Sequence, residues 1–249
     1  MALDGKVAVV TGANSGIGEA VATELAASGT RLLLVARDEQ RLDAVRQAAL
    51  AAGAGACEAL AVDVAAPGAS AEIVRDALRL GEGIDVLVPC AGIFNPESIW
   101  ETSIDNFDAV LGINVRAPYE LILHARPHLR RKASIVLISS ILGSVGFPSA
   151  SAYSASKGAI EMLVRSLARE LAEREIRINA IAPGIIKTAI NRDAIDGDPK
   201  YAAWLLERIP LGHIGVPEQV APTVTFLASS ASSYMTGAVI AVDGGWVAE

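Results

Sequence analysis

Short apolar runs of strand length alternate along this chain with longer stretches in which hydrophobic residues recur every three or four positions. The short runs fall at Val7–Val10, Arg31–Ala36, Cys57–Val62, Ile84–Val88, Ser134–Ser139, Ile176–Ile181 and Val239–Val242. Their near-continuous Val, Ile, Leu and Ala content predicts seven strands buried on both faces. The helical period predicts helices over 17–28, 39–52, 69–80, 105–130, 154–174 and 217–229. Strands and helices in this alternation predict an α/β fold, a doubly wound seven-stranded parallel sheet with helices on both faces. Ligands of such sheets bind outside the carboxyl ends of the strands, near the point where the winding reverses. Gly12–Gly18, Cys90–Gly92, Ser140 and Pro183–Thr188 each follow a predicted strand, so the candidate chemistry collects at that edge. One long irregular connection, 189–211, contains Gly197, Asp198 and Pro199 before Tyr201 and Trp204. A substrate loop or lid is the functional reading of such a segment, and an ordinary surface insertion is the alternative.

Composition adds boundaries to this picture. The chain has 249 residues and no break in composition that would mark a linker, which predicts one dinucleotide-binding and catalytic domain over 1–249. Hydrophobic residues make up 52% and aromatics only 4%, as expected of an aliphatic sheet under helices. The net charge of −7 argues against a nucleic-acid partner. Residues 133–156 carry no charge, yet Gly143, Gly146, Pro148 and eight serines interrupt them, so a strand running into a loop is expected rather than a membrane span. The first strand begins at Val7 after a short charged turn, which predicts no signal peptide. Cys57 and Cys90 have no partner spacing and read as reduced thiols of a cytoplasmic protein. His124 and His128 are four apart, but Pro127 intervenes and no third ligand is evident, so no metal site is expected. Arg126, Arg130, Arg131 and Lys132 close the predicted helix 105–130. They read either as cations complementing the helix dipole or as a docking patch for an acidic carrier.

Three motifs carry chemistry. Thr11-Gly12-Ala13-Asn14-Ser15-Gly16-Ile17-Gly18 joins the first strand to the first helix, where glycines let backbone amides approach a pyrophosphate at a helix N-terminus. No Lys follows Gly18, which counts against a P-loop kinase or NTPase. After the second strand, Ala36 stands where an acid would hold a ribose 2′-hydroxyl, and Arg37 follows it. A guanidinium there suits a 2′-phosphate, predicting NADP(H) over NAD(H); a solvated Arg37 beside a helix start at Asp38 is the alternative. Tyr153 and Lys157 are four apart, which on a helix puts an ammonium beside a phenol and is expected to lower the phenol pKa. Taken alone, the pair also fits a surface Tyr beside a solvated Lys.

The ordered set of motifs resembles the short-chain dehydrogenase/reductase family in its single-domain branch of roughly 250 residues, similar to carbonyl reductases and 3-oxoacyl-acyl-carrier-protein reductases. It comprises Thr11-Gly12-x-x-x-Gly16-x-Gly18, Asp63, Ala91-Gly92, Asn114 in the long helix, Ser140, Tyr153-x-x-x-Lys157, and Pro183-Gly184 followed by Thr188. The resemblance implies a Rossmann-type fold and an oxidoreductase. In it Tyr153 is the general acid/base, Ser140 holds the substrate oxygen, Lys157 binds the nicotinamide ribose and Asn114 anchors a water relay. The cofactor contacts it implies are Gly12, Asn14, Ser15, Gly16, Ile17, Gly18, Arg37, Asp63, Val64, Ala91, Gly92, Tyr153, Lys157, Pro183, Gly184, Ile186 and Thr188. It also implies a homotetramer. One departure is Pro89-Cys90 where the family often has two Asn residues before Ala-Gly, which removes hydrogen bonds expected to brace the strand end.

Leu142, Phe147, Ile185, Tyr201, Trp204 and Leu205 are the expected substrate pocket, an apolar set with no anchor for a carboxylate. The expected reaction is NADPH-dependent reduction of a ketone or aldehyde, reversible as alcohol oxidation. Reduction of a carrier-bound 3-oxoacyl group is the alternative enzyme, and a non-catalytic dinucleotide sensor or scaffold is the alternative of another class.

Overall fold

The computed structural model describes residues 3–248. Its core is one parallel sheet of seven strands: β1 Val7–Thr11, β2 Arg31–Ala36, β3 Ala56–Ala61, β4 Ile84–Pro89, β5 Leu129–Ile138, β6 Arg177–Pro183 and β7 Val239–Val242. The order across the sheet is β3-β2-β1-β4-β5-β6-β7, so the winding reverses between β1 and β4. Val9, Val10, Leu87, Val88, Val136 and Ile178 in the central strands have no exposure, as the unbroken apolar runs require.

The helices are α1 Gly16–Ala26, α2 Glu39–Ala52, α3 Ala69–Ala77, α4 Ile104–Leu111, α5 Ala117–Ala125, α6 Ser151–Leu171, α7 Arg192–Gly197, α8 Pro199–Leu206 and α9 Pro217–Ala228. Two separate apolar cores hold the layers together. One joins α1, α2 and α9 to one face of the sheet through Val21, Leu25, Leu42, Val224 and Leu227. The other joins α3, α5 and α6 to the opposite face through Ile73, Leu121, Ile122, Ile160 and Val164.

Three expectations from the sequence need correction. The continuous helix 105–130 is instead α4, a π-helical turn over Gly112–Arg116, and α5. Pro118 explains the break: it has no N–H to give the Asn114 carbonyl, and its ring would press on that carbonyl. The Ala117 N–H bonds the Gly112 carbonyl, closing a wider turn. Helix α5 stops at Ala125, two residues before Pro127, and the chain from Leu129 onward is strand, with Leu129 paired to Ile84.

Of the basic cluster only Arg126, the C-cap of α5, closes a helix; Arg130, Arg131 and Lys132 lie on β5. Arg130 approaches Glu82 at 3.6 Å and Asp85 at 4.0 Å, and Arg131 pairs with Glu175 at 2.9 Å. Both sit at the amino end of β5. At about 3.3 Å per residue, Arg130 is roughly 25 Å from Ile138 at the other end of the strand.

The connection 189–211 contains α7 and α8 rather than irregular chain. Asp198 starts α8, its carboxylate accepting from the Lys200 and Tyr201 amides at 2.9 and 3.2 Å, with Pro199 in the first turn.

Candidate active site

A cleft of about 710 Å³ runs along the carboxyl ends of the strands across the point where the winding reverses. That size and place suit a small-molecule or cofactor site. The turn after β1 forms one wall. Gly12 has φ +65°, and a Cβ on it would lie 2.8 Å from the Ala91 backbone; a Cβ on Gly18 would lie 2.1 Å from the Gly12 carbonyl oxygen. Only glycine lets these backbones approach so closely, which turns amides rather than side chains toward the cleft. Ser15 precedes α1 without a side-chain cap, so the first amides of that helix stay available to an anion. Asn14, Ser15, Gly16 and Ile17 complete this wall.

The turn after β4 forms the floor. Thr11 Oγ1 accepts hydrogen bonds from the Cys90 and Ala91 amides, each at 3.1 Å. Thr11 thus supplies the bracing that the Pro89-Cys90 sequence was expected to lose. Gly92 lies beside the Asn114 amide, and Asn114 clamps the next residue from both sides: its Oδ1 accepts from the Ile93 N–H and its Nδ2 donates to the Ile93 carbonyl, both at 2.9 Å. Asn114 Nδ2 also reaches Ser156 Oγ at 3.2 Å. The π-helical turn is what aims this buried side chain inward.

At one end the cleft is lined by Ala36, Arg37, Asp38, Arg41, Val62, Asp63 and Val64. Asp38 caps α2 by accepting from the Arg41 N–H at 3.0 Å, and Arg37 lines the cleft. Arg37 Nη1 is 4.0 Å from Asp63 Oδ2, and its side chain is 71% exposed, so the guanidinium is weakly held. Pro183, Gly184, Ile185, Ile186 and Thr188 line the opposite wall. Asn191 fixes that segment, accepting from the Thr188 N–H and donating to the Ile186 carbonyl, both at 2.9 Å.

Ser140, Tyr153 and Lys157 meet at the centre. Ser140 stands two residues beyond β5, and its Oγ accepts from the Leu142 N–H at 3.2 Å at the start of a one-turn 3₁₀ helix over Ile141–Gly143. Tyr153 and Lys157 lie one turn apart on α6, and the Ser140 hydroxyl is close enough to the phenol to favour its charged form. Lys157 Nζ donates to the Ile138 carbonyl at 2.8 Å and stands 5.3 Å from the Tyr153 ring centre. The expected lowering of the phenol by Lys157 is not found. Burial pushes the Tyr153 phenol up to about 12 against the opposing pull of the Ser140 hydrogen bond, with Cys90 adding to the rise. Burial also pushes Lys157 down to about 8, with Cys90 opposing. Desolvation disfavours the charged form of both groups, so it moves them in opposite directions.

Leu142, Phe147, Ile185, Tyr201 and Leu205 line the cleft as expected, but Trp204 does not. It packs among Phe147, Tyr201 and Trp246 at ring distances of 5.7, 6.1 and 6.3 Å, with the Arg208 guanidinium 3.9 Å over it. It therefore supports the wall instead of forming it. Sequence reasoning missed Phe94, whose ring meets Tyr153 edge-on at 4.9 Å, and also Arg41 and Asn191. The signals were present: Arg41 stands one helical turn after Arg37, and Phe94 two residues after Gly92. Among the described residues no group of three or more His, Cys, Asp or Glu side chains could hold a metal ion.

A family model described as Enoyl-(Acyl carrier protein) reductase matches residues 12–247. The 3-oxoacyl-(acyl-carrier-protein) reductase of Thermotoga maritima is 36% identical over 249 residues, covering 99% of this chain and 100% of that protein. A short-chain dehydrogenase/reductase from Serratia marcescens superposes with a TM-score of 0.93 at 33% identity, covering 99% of each chain. A blue fluorescent protein from a metagenomic library, solved in complex with NADPH, gives a TM-score of 0.92 at 35% identity over 99% of this chain and 100% of that one. Likeness over nearly its whole length, in sequence and in fold, makes this chain a member of the short-chain dehydrogenase/reductase family of NAD(P)-dependent oxidoreductases acting on alcohol and carbonyl groups.

Proposed function

We propose that this protein reduces a neutral, apolar ketone or aldehyde with NADPH, with Tyr153 as the proton donor. The observation that carries this reading is the meeting of Ser140, Tyr153 and buried Lys157 in one cleft whose far end carries Arg37 and Arg41.

The cleft fits a dinucleotide phosphate. Gly12 and Gly18 pack against the Ala91 and Gly12 backbones with no room for a Cβ, no side chain caps the first amides of α1 beside the cleft, and the two guanidinium groups suit a 2′-phosphate. When bound, the nicotinamide supplies the hydride. The chain supplies the rest. Negative charge grows on a carbonyl oxygen as its carbon is reduced, and that oxygen needs a placed donor. Tyr153 holds its proton at neutral pH, as any phenol does, and burial, which raises its pKa to about 12, keeps that proton in place until charge develops on the substrate oxygen. Ser140 is placed to hydrogen-bond the same oxygen. The Lys157 ammonium stabilises the phenolate left behind and, through its remaining N–H donors, is placed to hold a ribose hydroxyl.

Phe94, Leu142, Phe147, Ile185, Ile195 and Leu205 supply the wall around these groups, and no Lys, Arg, Asp or Glu stands among them. That favours an uncharged apolar carbonyl, because a carboxylate there would be desolvated without a partner. The printed activity of the Thermotoga maritima relative favours a second reading, a carrier-bound 3-oxoacyl group. Arg130 and Arg131, half the basic cluster that would dock such a carrier, lie at the amino end of β5, away from the cleft, and pair with Glu82 and Glu175, which counts against that reading. A homotetramer is in keeping with the apolar side chains left exposed at Ile99, Trp100, Ile104, Tyr119, Leu123 and Met162.

With acetophenone, cyclohexanone and a carrier-bound 3-oxoacyl substrate as a panel, the protein is expected to consume NADPH fastest with a free ketone; a higher kcat/KM for the carrier-bound substrate would reverse the choice. Tyr153→Phe should lose turnover by roughly a hundredfold or more while NADPH still quenches the protein's fluorescence. Full activity in that variant rules out Tyr153 as the donor. Arg37→Ala should raise the KM for NADPH by roughly tenfold and leave that for NADH nearly unchanged; an unchanged ratio removes the cofactor assignment. Light scattering should give a mass four times that of the chain, and a monomer would refute the tetramer.

A further inference from the structure

Ser140 and Tyr153 sit on different elements, and their hydroxyls must meet for the proposed proton transfer. Ser140 lies two residues beyond β5 on a short turn, whereas Tyr153 is on the first turn of α6. The turn has bonds of its own, from the Leu142 N–H to Ser140 Oγ and from the Gly143, Ser144 and Val145 amides to the Ser140 and Ile141 carbonyls, and Ile141 and Leu142 pack in a small apolar cluster with Ala150, Phe94, Phe147 and Tyr153. None of these hydrogen bonds ties it to the helix.

The tie comes from Glu161, two turns along α6 from Tyr153 and one from Lys157. Its side chain is buried, which is unusual for a carboxylate unless it is hydrogen-bonded. Ser139 Oγ donates to Glu161 Oε1 at 3.2 Å, from the residue immediately before Ser140. Ser144 Oγ lies 3.3 Å from Oε1 and 3.2 Å from Oε2, just beyond the turn. The carboxylate thus grips the Ser140 segment on both sides. Ser139 Oγ also reaches the Lys157 carbonyl at 3.2 Å, on the same face of α6. Arg165, one turn further, approaches Oε2 at 3.9 Å from the solvent side.

The backbone packing is equally close. A Cβ on Gly143 would lie 2.5 Å from Glu161 Oε1, and one on Gly158 would lie 3.3 Å from the Gly143 carbonyl oxygen. Two glycines therefore let the turn rest directly on the helix, with the carboxylate between the two serines. None of the proposed chemistry touches Glu161, which leaves its burial without a catalytic explanation.

We propose that Glu161 is a positioning residue that locks the Ser140 turn onto α6 and thereby sets where the Ser140 hydroxyl stands relative to Tyr153. This rests on the reading of Ser140 and Tyr153 given above. A buried carboxylate accepting from two hydroxyls is a charge-assisted clamp, stiffer than a neutral one. Small displacements of catalytic groups are costly, so a loosened turn should lower turnover without touching the cofactor groove.

The test is a cycle of Glu161→Ala and Ser140→Ala, made singly and together, with the faster of acetophenone and cyclohexanone as substrate. Glu161→Ala should lower kcat/KM by roughly ten- to a hundredfold and leave NADPH affinity, read by fluorescence quenching, unchanged. In the Ser140→Ala background it should cause no further loss, because its effect passes through Ser140. Amide exchange over 140–145, followed by mass spectrometry without cofactor or substrate, should become faster in Glu161→Ala. Glu161→Gln keeps an acceptor and should recover most of the activity, and Ser144→Ala should show a weaker form of the same defects should Glu161→Ala fail to fold. Losses that multiply in the double variant, or unchanged exchange over 140–145, overturn the proposal. A fully active Ser140→Ala instead overturns the reading of Ser140, and the exchange rates then decide by themselves whether Glu161 holds the turn.

Discussion

A buried ammonium at the carboxyl edge of the sheet organises the centre of this molecule. Lys157 is 6% exposed, and among the described residues its Nζ has one hydrogen-bond acceptor, the carbonyl of Ile138 at the last residue of β5. Taking a charge out of water costs several kcal/mol unless partners are supplied, and one carbonyl is a thin supply for three N–H donors. The amine responds by shifting toward its neutral form, and it lines the cleft. A parallel sheet makes this arrangement available, because its strands all end at one edge and leave carbonyls there for a helix to use. Helix α6 crosses that edge, which fixes where Tyr153 stands.

Burial then does most of the electrostatic tuning. The same exclusion of water that lowers Lys157 raises Tyr153, so the site at rest holds a protonated phenol next to a weakened ammonium. The spacing of four between the two residues suggested a phenol acidified by its neighbour. That argument supplied the Coulomb attraction and left out desolvation, which only the packed structure reveals. Phe94, lying edge-on against the Tyr153 ring, is part of that packing.

The sheet was legible in the sequence because its strands are buried on both faces and so appear as unbroken apolar runs. The helices were less so where one residue overrides a period. Pro118 breaks a helix that the spacing of apolar residues ran through, and the break is what turns Asn114 toward Ile93. Asp198 and Pro199 start a helix inside a segment whose composition suggested a loop. In the cleft, the residues found from the sequence were those whose type is dictated by chemistry or by close backbone approach, such as Gly12, Gly18, Arg37 and Lys157. Those missed or misplaced act through packing: Phe94 covers the phenol, Trp204 stands behind Phe147 and Tyr201, and Asn191 holds the Thr188 segment. Contacts between side chains far apart in the chain leave no local pattern to read.

The central claim is that a carbonyl carbon is reduced within reach of Ser140 and Tyr153 in a cleft that takes NADPH. NADPH deuterated at the carbon that gives up hydride, incubated with the protein and its best ketone from the panel, tests it by mass spectrometry of the product. The account predicts an alcohol carrying one deuterium on the carbon that bears the new hydroxyl. An alcohol formed without deuterium, or NADPH consumed with no alcohol formed, would contradict it.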